Sequence, residues 1–103
     1  MHQISDKAEV AIDFPDKFYM GGFGRDAEFE VRAEEDAVLI RLVRSGSEKR
    51  RVDIHLHYFL FANILEELAA SIAQRKPIDD LHKQPLATAV NTLAATIRGR
   101  AAG

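Results

Sequence analysis

The chain has 103 residues, 47% of them hydrophobic and 29% charged, with three prolines and no cysteine. That length can bury one modest core, and the mixture is too rich in apolar residues for a disordered or low-complexity chain. The net charge of -2 lacks the basic excess on which phosphate binding leans, and the missing cysteines exclude disulfides, thiolate zinc sites, iron–sulfur clusters and a cysteine nucleophile.

The opening residues MHQISDKAEV hold no apolar run of signal-peptide length, and the greasiest stretch, YFLFANILEELAASIA, is interrupted by Glu66 and Glu67. The expectation is a cytoplasmic protein without a membrane anchor. A single domain over residues 1–103 is expected, with loose ends at 1–6 and 99–103.

Residues 8–14 alternate, with Ala8, Val10, Ile12 and Phe14 against Glu9, Ala11 and Asp13, the period of a half-buried strand that Pro15 ends. Residues 15–25, PDKFYMGGFGR, read as a loop. Residues 27–33 alternate more sharply, with Phe29, Val31 and Ala33 against Glu28, Glu30 and Arg32. After the acidic turn Glu34-Glu35-Asp36, residues 37–44 set Val38, Ile40 and Leu42 against Leu39, Arg41 and Val43. After SGSEK, residues 50–57 set Val52, Ile54 and Leu56 against Arg51, Asp53, His55 and His57. Closing both short hairpins with the apolar faces together pairs Glu30 with Arg41 and Arg41 with Asp53 on one face. It pairs Ile40 with Val31 and Ile54 on the other.

From Tyr58 the period becomes helical, with Phe61, Ile64, Leu65, Leu68 and Ile72 on one stripe as far as Arg75. No cap precedes Tyr58, and Asn63 with Glu66 offers a later start. Lys76-Pro77 ends this helix. IDDLHK reads as a linker, Pro85 as the first position of a second helix, and Leu86, Val90, Leu93 and Ile97 as its stripe, stopped by Gly99. The sum is a two-layer α+β fold: a four-stranded antiparallel meander in order 1-2-3-4, with two C-terminal helices packed on one face.

Several clusters could carry function. Gln84 to Ile97 contains no charged residue, and opposite its large residues lie Thr88, Asn91, Thr92 and Ala95, a small neutral face suited to a homodimer. Phe18, Tyr19, Met20 and Phe23 make an aromatic loop that a protein partner could contact. Its glycines do not form a phosphate loop, because the segment leads into a strand and not a helix. Arg44, Lys49, Arg50 and Arg51 form a basic hairpin tip that could touch nucleic acid, although Glu48, Asp53 and Glu30 are interleaved and favour a solvated, mutually neutralising face. His55 and His57 share a strand face as a metal pair would, without a third ligand in their register.

No nucleophile motif or paired-acid signature is present, and no cofactor is implied. The sequence therefore leads to a small non-enzymatic protein-interaction or regulatory module that self-associates. Nucleic-acid binding through residues 44–51, or metal binding at His55 and His57, are the alternatives.

Overall fold

The structure, a computed structural model, describes residues 1–76 and 78–99. It is an α+β fold with the helices at the C-terminal end. Six strands come first: β1 (His2–Gln3), β2 (Ala8–Phe14), β3 (Lys17–Phe23), β4 (Glu28–Ala33), β5 (Ala37–Arg44) and β6 (Arg50–His57). Two helices follow, α1 (Tyr58–Arg75) and α2 (Asp80–Ile97). The chain comprises two compact units, Met1–Asn63 and Ile64–Gly103, and α1 runs from the first into the second.

In the first unit the strands form two sheets. One is antiparallel with order β1-β4-β5-β6, and the other is the antiparallel hairpin β2-β3. The register of the three long strands is the one the alternation demands. Ile40 lies between Val31 and Ile54, and Arg41 lies between Glu30 and Asp53. Along β6, exposure alternates residue by residue, with Val52, Ile54 and Leu56 half-buried and Asp53, His55 and His57 exposed.

The expected order 1-2-3-4 is not the one adopted. Residues 8–14 do not join β4, because Lys17–Phe23 is a strand and pairs with them along its whole length, from Phe14↔Lys17 to Ala8↔Phe23. The two-residue connection Pro15-Asp16 makes this possible: proline presets the φ of a tight turn, and aspartate tolerates the second position. The place beside β4 goes instead to His2 and Gln3, opposite Phe29 and Glu28. Residues expected to be loose are thus held, with Ile4 buried and its N–H donating to the Ala27 carbonyl at 3.0 Å.

The core sits where the hairpin meets the sheet. Ile4, Phe23 and Ala27 are buried together, and Val10, Phe29, Leu42 and Val52 pack around them. Phe29, Leu42 and Val52 share the apolar sheet face, while Val10 and Phe23 come from the hairpin, so the hairpin lies on one end of that face. Of the four residues read as the inward face of β2, Val10 joins this cluster, whereas Ile12 and Phe14 are exposed. The opposite sheet face, which carries the charged pairs, buries Leu39, which stands between Arg32 and His55 in the register, where long side chains can lie over it.

α1 starts at Tyr58, directly after β6, so the later start at Asn63 is not used. Tyr58 itself fixes the transition: its N–H donates to the Asp36 carbonyl at 3.2 Å and its hydroxyl to the Glu34 carbonyl at 2.7 Å. The helix ends at Lys76, whose φ of 50° leaves the helical region. Pro77 lies outside the described residues, as do the expected loose residues beyond Gly99.

α2 begins five residues before Pro85, which stands inside the helix and not at its first position. The start is set by Asp79, an N-cap whose carboxylate accepts the His82 N–H at 3.1 Å. His82 Nδ1 adds a second hydrogen bond at 2.6 Å, and together they hold the Asp79 carboxyl below the usual carboxylate range. At the other end Gly99, with φ +76°, takes the left-handed conformation that commonly terminates helices.

Replacing Phe23 with alanine removes the largest side chain of the buried cluster and should cost about 3 kcal/mol or more in urea unfolding. Phe18→Ala, five residues away on the same strand but 58% exposed, should shift stability by about 0.5 kcal/mol or less. Equal losses for the two would contradict the orientation of β3.

Candidate functional site

The hairpin and the basic tip, separate candidates in the sequence, converge in the first unit. Both contribute to an open groove of about 560 Å³, whose lining includes Ile12, Phe14, Tyr19 and Met20 from the hairpin and Arg50 and Arg51 from β6. The join is made by Arg50. Its Nη1 donates to the Gly22 carbonyl at 3.2 Å, and its side chain runs 3.4 to 3.5 Å from where a Cβ on Gly21 would stand. A Cβ at position 21 would thus stand in ordinary van der Waals contact with the Arg50 side chain.

Strand alternation divides the four residues of the aromatic segment. Tyr19 shares a hairpin face with Ile12 and Phe14, while Phe18 and Met20 point to the other face with Ala11 and Asp13. Phe23 is turned into the core at 3% exposure and offers no contact surface. The outer half of the hairpin is consequently apolar on both faces: Ile12, Phe14, Phe18, Tyr19 and Met20 are each between 41 and 73% exposed. Phe14 and Tyr19 meet edge to face with centroids 6.3 Å apart, which stiffens one of these faces. Ile12 and Phe14 went unrecognised in the sequence because their alternation with Glu9 and Asp13 is indistinguishable from that of a core strand.

Each arginine of the tip lies beside an acid, and two of these acids are shared between arginines. Arg44 pairs with Asp26 at 3.0 Å and Glu48 at 3.5 Å, Arg50 with Glu48 at 3.4 Å, and Arg51 with Asp53 at 3.2 Å. Behind them the pairs Arg32–Glu30, Arg41–Glu30 and Arg41–Asp53 continue the alternation of sign across β4, β5 and β6. The guanidinium of Arg41 bonds both Asp53 oxygens, at 2.8 and 3.3 Å. This bond raises the pKa of Arg41 further and holds the Asp53 carboxyl below its ordinary value, with Coulombic help from Arg51 and His55.

His55 and His57 lie opposite Leu39 and Ala37, as their spacing implies. Each faces one acid of the β4–β5 turn, His55 with Glu34 at 3.7 Å and His57 with Asp36 at 3.9 Å. Among the described residues no three side chains of metal-binding type converge.

In the second unit, Thr88, Asn91 and Thr92 are exposed and Ala95 is half-buried along α2. The large residues of the helix are exposed as well: Leu86 by 49%, Val90 by 56%, Leu93 by 41% and Ile97 by 74%. Among the described residues, no helix is long and apolar enough to cross a membrane.

The depressed Asp53 carboxyl sets a pH dependence. Its contribution to stability is complete above its ordinary value of 3.8 and is lost as pH falls through its lower folded value. Asp53→Asn should therefore flatten the acid limb of stability measured by urea unfolding between about pH 5 and about pH 2. An acid limb as steep as that of the unaltered protein would show that the Arg41–Asp53 bond carries none of it.

Comparison of the chain with protein-family models, with curated proteins and with solved structures gives no match, so the functional reading rests on these residues and their geometry.

Proposed function

We propose that this chain is a small non-enzymatic protein-interaction module whose contact surface is the outer half of the β2–β3 hairpin and the groove beside it. The observation that carries this reading is the exposure of large apolar residues on both faces of one hairpin, Ile12, Phe14 and Tyr19 on one side and Phe18 and Met20 on the other. A folded monomer rarely presents such a ribbon to water, and contiguous exposed apolar surface commonly marks a contact site. The inner half of the same hairpin is anchored in the core through Val10 and Phe23, so the ribbon is presented from a fixed base. A partner would bury the apolar ribbon, and Arg51, 62% exposed at the groove, would supply a polar contact at its rim.

Exposed positions can be changed without disturbing the fold, which makes the reading open to a direct test. A variant with Phe18, Tyr19 and Met20 all replaced by serine should fold as the unaltered protein does and lose the proteins that the unaltered chain captures from its cell extract. Capture of the same proteins by both would place the contact elsewhere.

Nucleic-acid binding is the second reading, favoured by one specific feature: Phe14 and Tyr19 line the same groove as Arg50 and Arg51, and base stacking beside cationic side chains is how single strands are held. Against it stands the pairing of each arginine with an acid. This reading expects a single-stranded oligonucleotide to bind at low salt, to dissociate as salt rises, and to bind more weakly when Arg50 and Arg51 become alanine. The protein-contact reading expects no retention at low salt.

A further inference from the structure

We draw no further inference here: the strongest candidate, the outer edge of β6 in the four-stranded sheet, which pairs with no other strand among the described residues, carries no proposal because nothing in the structure shows what covers it.

Discussion

The antiparallel register of β4, β5 and β6 is the constraint from which the first unit follows. Ile40 sits between Val31 and Ile54, and Arg41 between Glu30 and Asp53, so one strand pairing places apolar side chains on one face and alternating charges on the other. A slip by one residue would bring arginine against isoleucine on both sides of the central strand. The apolar face then requires cover. Part of it comes from the β2–β3 hairpin, whose Val10 and Phe23 close over Phe29, Leu42 and Val52, with Ile4 and Ala27 completing the cluster. Arg50 reinforces the arrangement by bonding from β6 to the β3 backbone.

That use of the hairpin explains why one segment serves two purposes. Its inner half is anchored in the core, and its outer half extends beyond it with apolar side chains on both faces. Charges at the ends of the neighbouring β5 and β6 are arranged differently: Arg44, Arg50 and Arg51 each lie beside an acid, which lowers the local excess of positive charge. A hydrophobic contact bordered by already paired charges suits a protein surface better than a polyanion.

Strict alternation made the long strands legible. Residues 8–14, 37–44 and 50–57 form strands with the bounds read from the sequence, and the cross-strand partners of Ile40 and Arg41 are those expected. The strand Lys17–Phe23 was hidden because Phe18, Tyr19 and Met20 are large on both faces and Gly21 and Gly22 have no side chain, so no period of two is visible. Only the tight Pro15-Asp16 connection could have revealed it. The edge strand His2–Gln3 is too short to show any period, and its pairing depends on the space that β2 leaves open. At α2, proline at position 85 was a weaker boundary signal than the Asp79 cap, which satisfies a backbone N–H at the helix start through its side chain. Of the candidate residues, Phe23 could not be separated from its exposed neighbours by residue type, since only strand direction decides which aromatic faces the core.

The first unit rests on the register of β4, β5 and β6 and on the cluster of Ile4, Phe23 and Ala27 that closes one end of its apolar face. Residue-by-residue amide hydrogen exchange tests this arrangement most directly. Amides of Val38–Leu42, on the central strand, should exchange far more slowly than those around the Pro15-Asp16 connection at the outer end of the hairpin. Exchange along Val38–Leu42 as fast as at that connection would contradict it.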